Sequence, residues 1–312
     1  MAARLPPFST LLKSRDVEDP INLWVHRPLA YAFVWATIRT PLTPNAITVL
    51  AMLVGIASGV AFLVGTPEMM VLGGALLWTA AILDGADGIM ARAKNMASQL
   101  GRALDGLADV VVAVATVLPA FYHVWVKDHD VVDLAIMLPT LAFTLPHLAL
   151  YDFYKESYLR GTRLDRGGEG DDPEKVRKLA ADTKDKGFIK SFAVSQILLP
   201  MVTNQAMLVS KLNPGALREG VEWPKSEASA AIYRRHNRVP MFLWAMISLA
   251  PHSYLTAIFA MIDRLDIYLW IRLLGMNAIF LLAIVWQRIG TQRTLAAWAE
   301  LTAGAPSPEA RV

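Results

Sequence analysis

Four aspartates and an arginine stand at fixed spacing in the first third of the chain: Asp84, Asp87, Arg92, Asp105 and Asp109, with Gly88, Ala91 and Gly101 among them. The run reads D-x2-D-G-x2-A-R-x8-G-x3-D-x3-D. Its flanks, residues 71–83 and 110–126, carry no Asp, Glu, Lys or Arg. Ionisable groups at the ends of membrane-grade apolar segments are costly, and they are candidates for function by default. Four converging anions cannot all stay ionised without a cation. The chain has no cysteine and no histidine close to the run, so the donors are oxygens, and these favour Mg2+ or Mn2+ over zinc. Four carboxylates offer enough oxygen atoms to hold two ions about 4 Å apart.

The elements that must position these groups are two helices. Positions 84, 87, 88 and 91 are spaced i, i+3, i+4, i+7 and share one helical face. Asp105 and Asp109 are one turn apart on the next helix, with Gly101 one turn before them. The link, about residues 93–101, is short, so the two helices are expected as antiparallel neighbours that bring all four acids to one point.

The rest of the chain is membrane-like. It has 312 residues, 54% apolar, with a formal net charge of +3. Several uncharged runs approach the length that crosses a bilayer. The absence of cysteine excludes disulfides and thiolate chemistry. The expected fold is an all-α integral membrane protein, a six-transmembrane-helix bundle with spans near 46–64, 69–93, 102–126, 132–154, 239–261 and 266–286. Residues 1–45 form an N-terminal cytoplasmic segment without the apolar core of a secretory signal, so its retention is expected. Within it, 21–40 mixes Trp24, Tyr31 and Trp35 with His26, Arg27, Pro28 and Arg39, which suggests an interfacial helix; a seventh span is the alternative. Asn45 is the expected N-cap of the first span. Residues 46–154 hold the first four spans and the motif. Residues 155–238 form a large cytoplasmic insertion, with a flexible loop at Gly167-Gly168-Glu169-Gly170 and an apolar stretch at 191–209 that is re-entrant, superficial or spanning. Residues 239–290 hold the last two spans, and 291–312 a flexible tail. Gly85, Gly106, His147 and His252 are expected to serve helix packing. With six spans nearly all Lys and Arg fall on one side, which places both termini and the acid cluster in the cytoplasm.

The motif resembles the signature of the CDP-alcohol phosphotransferase (CDP-alcohol phosphatidyltransferase) family of integral membrane enzymes. All eight fixed residues match over 84–109, with a looser likeness of helix layout over 43–154. The resemblance implies transfer of a phosphatidyl group from CDP-diacylglycerol, or another CDP-alcohol, to a small polar alcohol with release of CMP. It implies Asp84, Asp87 and Asp105 as ligands of one or two Mg2+ or Mn2+ ions. Asp109 is then the general base, itself able to touch a metal, and Arg92 the group that neutralises phosphate charge. Gly88, Ala91 and Gly101 would let nucleotide and metal approach the backbone. Asn45 and Thr48, in a Pro-Asn-x-x-Thr run, would face the nucleotide.

Relatives that use phosphorylated acceptors carry a Tyr-x-x-Ala-Arg-Ala-Glu-like run at the end of the fourth span. Here that place reads Tyr151-Asp152-Phe153-Tyr154-Lys155-Glu156-Ser157, a departure that puts a phosphorylated acceptor in doubt. Lys155, Arg160 and Arg163 are candidates for an acceptor or a lipid headgroup. The family likeness also implies a homodimer and a bacterial inner membrane, and no nucleic acid. Transfer of a CDP-activated headgroup to a lipid alcohol is the alternative within the class. A divalent-cation transporter is disfavoured because the acids lie near one membrane face and the halves show no repeat. Ion pairing alone fails as an explanation, since Arg92 and Arg102 cannot balance four aspartates.

Overall fold

The computed structural model describes residues 5–11, 14–164, 173–183, 187, 191–217 and 226–303. The glycine-rich run 167–170 and the end of the tail, 304–312, lie outside the described residues. Among the described residues the chain is helical, without a strand. The helices are α1 (Arg27–Thr37, entered through a π turn, Asn22–His26), α2 (Pro44–Val64), α3 (Pro67–Ala93), α4 (Gln99–Asp128) and α5 (Val131–Thr162). They continue with α6 (Pro173–Thr183), α7 (Leu199–Leu212), α8 (Glu227–Ala245), α9 (Leu249–Met261), α10 (Leu265–Trp270) and α11 (Asn277–Ala303), the last two joined by a π segment, Ile271–Met276.

Six stretches are long and apolar enough to cross a membrane: Pro44–Val64, Pro67–Ala93, Leu104–Lys127, Val131–Thr162, Glu227–Met261 and Leu265–Leu301. They are the six expected spans. The stretch 191–212 is also helical, a π segment, Ala193–Leu198, running directly into α7, and it is not one of these six.

The chain divides into two compact units, one of Met1–Thr144 with Ile247–Asn277 and one of Leu145–Met246 with Ala278–Val312. In the first, helix boundaries follow local chemistry. Thr43, not Asn45, caps α2: it is extended, its Oγ1 accepts the Ala46 N–H at 3.2 Å, and Pro44 takes the first helical position. A proline there loses no intrahelical bond and has its φ already set, so the helix begins two residues early. Gly65, at φ +72°, ends α2 in the left-handed conformation. Thr66 then caps α3 through the Met69 N–H at 3.3 Å.

The two motif helices each pack mainly on α2 and much less on one another. Direct pairing was the expectation. The reason for the difference is a set of small residues on α2. A Cβ on Gly59 would lie 1.7 Å from the Ala115 carbonyl oxygen of α4, and one on Gly55 would lie 2.6 Å from Val112. The Ser58 hydroxyl donates to the Gly73 carbonyl of α3 at 2.7 Å. Such small-residue contact is how helices approach closely where no hydrophobic gain separates helix from lipid. On the other side of α3, Gly74 sits against the Ala257 carbonyl of α9. At the far end, Asp263 takes hydrogen bonds from His123 at 3.1 Å and Lys127 at 2.7 Å. The turn after α4 and the turn before α10 therefore share a side, as the loop layout requires.

In the second unit, α5 runs eight residues beyond Tyr154, so Lys155 and Arg160 are helical. The fifth span is not one helix: it breaks at residues 246–248, where α8, of the second unit, gives way along the chain to α9, of the first. Pro251 contributes no N–H to the new first turn, and Ile247 and Ser248 are buried in protein, where irregular backbone is tolerated at membrane depth. The expected flexible tail is helical up to Ala303. Asn213 donates to Thr291 at 2.9 Å, Asn237 to Thr294 at 2.9 Å, and Trp298 to the Ser229 carbonyl at 3.1 Å. Buried hydroxyls with partners hold that stretch down, a constraint invisible to composition.

Replacing Gly59 with alanine drives a methyl into backbone that cannot move aside. We expect Gly59→Ala to destabilise the detergent-solubilised protein by at least about 1–3 kcal/mol, read as a lowered Tm; an unchanged Tm would refute the close α2–α4 approach.

Candidate active site

The acids sit where α3 gives way to α4. Asp84 and Asp87 lie in the last turns of α3, and Asp105 and Asp109 early in α4. The link turns sharply: Asn95 takes φ +54°, and Ser98 starts α4 by accepting the Gly101 N–H at 2.9 Å. Lys94 fixes the beginning of the link by donating to the carbonyls of Thr40 at 3.0 Å and Leu42 at 2.9 Å.

Asp84 is exposed, Asp105 half-buried and Asp87 buried, and one carboxylate oxygen from each lies within 4.8 Å of the others. The donor set is oxygen alone, from three acids of which one is withdrawn from water. That set fits a hard divalent cation such as Mg2+ or Mn2+. Three acids thus meet where four were expected. Asp109, half-buried and one turn beyond Asp105, stands outside this trio.

Thr48 reaches the trio from α2. Its hydroxyl meets Asp87 Oδ2 at 2.5 Å, with the Pro44 carbonyl at 3.2 Å as the weaker acceptor. A hydroxyl donated to one carboxylate oxygen fixes the side chain. Asn45 also faces this end: its Oδ1 lies 3.4 Å from where a Cβ on Gly101 would stand. Arg92 donates from Nε to the Leu11 carbonyl at 2.8 Å. Its terminal nitrogens lie 3.4 and 3.6 Å from the position of a Cβ on Gly88, so the missing side chain there leaves the guanidinium room along the helix. Ala91, half-buried, completes the small-residue face.

Lys155, Arg160, Arg163 and His147 belong to the second unit, and His252, Gly85 and Gly106 to the first. Lys155 pairs with Asp152 at 2.5 Å and lies over the Tyr151 ring at 5.1 Å; Asp152 also accepts from Gln205 at 3.3 Å. Arg160 reaches the Ser157 hydroxyl at 3.3 Å, and Arg163 closes the end of α5 through its backbone N–H. His147 and His252 are buried, His147 against Phe280 and His252 beside Tyr268. Gly85 packs as expected, but nothing lies within 4 Å of a Cβ on Gly106, so no helix packs there among the described residues.

Two residues near the motif carry no signal in the sequence. Arg27 donates from Nε to Glu18 at 2.8 Å and from Nη1 to the Gly85 carbonyl at 3.4 Å. Neither is part of a motif, and their spacing follows no helical period that would betray the contact.

A comparison with curated proteins finds no match to the chain. The CDP-alcohol phosphatidyltransferase family pattern, however, matches residues 41–209, more than half of the length. The matched segment holds the capped start of α2, Thr48, the small-residue face and all four aspartates of the motif. Helical, membrane-spanning, and carrying an acid trio inside that segment, the chain belongs to the CDP-alcohol phosphatidyltransferase family.

Proposed function

We propose that the protein transfers a phosphatidyl group from CDP-diacylglycerol to a small polar alcohol and releases CMP. The observation that carries this reading is the trio Asp84, Asp87 and Asp105, with oxygens within 4.8 Å, inside the family-matched segment. Held by these three, with Asp109 beside them, one or two divalent ions would supply the positive charge that a diphosphate and a departing CMP require.

The chain's own residues do the rest. Asp109 accepts the proton of the acceptor hydroxyl, whose oxygen bonds to the β-phosphorus as the bond to the CMP oxygen breaks. Arg92 offers a planar fork to phosphate oxygens. Thr48 keeps Asp87 turned toward the site, and Asn45, Gly88, Ala91 and Gly101 border the nucleotide. Lys155 is already matched by Asp152, and a lysine so paired is a weaker receptor for a second anion. This favours an uncharged acceptor over a phosphorylated one, in line with the altered run at 151–157. Trp24 and Trp35, 71% and 69% exposed on the N-terminal segment, support its placement in the membrane interface. The charge bias of the loops supports a cytoplasmic site, in a bacterial inner membrane.

The direct test is purified protein with CDP-diacylglycerol, Mn2+ and a panel of labelled alcohols. CMP and a phosphatidyl product should appear in equal amounts. CMP formed only from a CDP-activated headgroup and diacylglycerol would reverse the direction of transfer, and none with any pair would overturn the reading. Asp109→Asn should lower kcat by at least about 100-fold with nucleotide affinity retained; wild-type turnover would remove Asp109 from the chemistry. Asp84→Asn should weaken Mg2+-dependent nucleotide binding, and an unchanged affinity in a Mg2+ titration would count against it as a ligand. Thr48→Val should raise the Mn2+ concentration for half-maximal activity roughly tenfold, checked by metal titration at saturating substrate.

A further inference from the structure

The motif helix has two faces. Asp84, Asp87, Gly88 and Ala91 point one way at about 100° per residue, and Gly85, Ala86, Ile89 and Met90 point the other. The second face is closed by the N-terminal segment, which lies outside the family-matched residues. Ala86, Ile89 and Met90 are fully buried there, in one cluster with Leu11, Ala30, Val34 and Ile38. Apolar contact is non-directional. It holds the helix against the segment but leaves its rotation to directional contacts, among them Arg92 with Leu11 and Lys94 with Thr40 and Leu42 at the helix's end.

Rotation matters at this site. At a side-chain radius of about 5–6 Å, a 20° turn of α3 displaces a carboxylate by roughly 2 Å, while metal–ligand distances tolerate only about 0.2 Å. One directional contact on the closed face is the guanidinium of Arg27. It meets the Gly85 carbonyl, next in the chain to Asp84, at 3.4 Å. Arg27 is itself held: its Nε donates to Glu18 at 2.8 Å, and Glu18, with its side chain 5% exposed, also accepts from Asn22 at 3.2 Å. Asp19 in turn accepts the Asn22 N–H at 2.9 Å, which starts the π turn leading to Arg27. Gly85 lets this happen: a Cβ there would come within 3.3 Å of Arg27 Nη1 and 3.5 Å of the Ala30 methyl.

We infer that Arg27, braced by Glu18, is a positioning residue that helps to set the rotation of the motif helix beside Asp84 and so the meeting of Asp84 and Asp87 with Asp105. The inference rests on the proposed reading of that trio as a metal site, and its test is arranged so that the two can fail separately. Full-length protein in detergent is titrated with Mn2+ alone, free Mn2+ being read by electron paramagnetic resonance. Tm, kcat and the KM of each substrate are measured alongside.

Arg27→Met is expected to weaken Mn2+ binding about tenfold, to lower kcat by a similar factor and to leave acceptor KM unchanged. Glu18→Gln keeps the shape but loses the charge and should give a smaller loss in the same direction. Gly85→Ala, which pushes the guanidinium aside by tenths of an ångström, should cost roughly two- to threefold. Arg27→Lys, which replaces the separated Nε and Nη1 donors by a single nitrogen on a shorter side chain, should not restore the wild-type value. Should Arg27→Met fail to fold, the Glu18→Gln and Gly85→Ala results decide alone. Wild-type Mn2+ affinity in these variants, with or without a lower Tm, would overturn the inference. Weakened Mn2+ binding in a protein that consumes no CDP-alcohol would sustain the positioning role and remove the proposed reaction instead. Failure of wild-type protein to bind Mn2+ would remove both.

Discussion

Three carboxylates with oxygens within 4.8 Å of one another set the terms for everything else in this protein. At an effective dielectric of about 20, each such pair of charges repels by about 3–4 kcal/mol; the exposure of Asp84 lessens its share. Three pairs together approach the entire stability of an ordinary domain, about 5–15 kcal/mol. No fold keeps such a group for packing alone. Positive charge between the acids would relieve that repulsion, and neighbouring residues hold the side chains and backbone of the cluster in place. Thr48 does so for Asp87 by hydrogen bond; the helix caps and the tight link do so for the backbone.

The helices that bear the acids do not lie directly against each other, because each is drawn onto a third helix. Their shared partner is α2, whose glycines let the Ala115 carbonyl come almost into contact with its backbone. An apolar helix thus serves as the common wall for two acidic ones, and it contributes Thr48 and Asn45 from its own first turns. Packing and chemistry are carried by the same 21 residues, so the wall and the site cannot shift independently.

Much of this was legible from residue types. Aspartates between uncharged runs mark themselves, because nothing except chemistry tolerates them there. Length and hydropathy alone mark the six spans. Other features depend on what touches what. Pro44 made Thr43 the cap, a choice that Asn45 concealed. The interruption at 246–248 lies within a stretch whose apolar character hides it. The helical end, 291–303, is held by Asn213, Asn237 and Ser229, partners distant in the chain. The grip of Arg27 on Gly85 spans 58 positions and ends on a main-chain atom.

That last property is shared. Arg27, Arg92 and Lys94 each bind α3 or its end to the N-terminal segment through a peptide oxygen, at Gly85, Leu11, Thr40 and Leu42. Every amino acid supplies that oxygen. Apart from Gly85, where a Cβ would crowd the guanidinium, the accepting positions are consequently at liberty to change, provided the chain keeps its path. Leu11 and Thr40 precede the family-matched residues, and there a strap fastened in this way can hold its course while its side chains change.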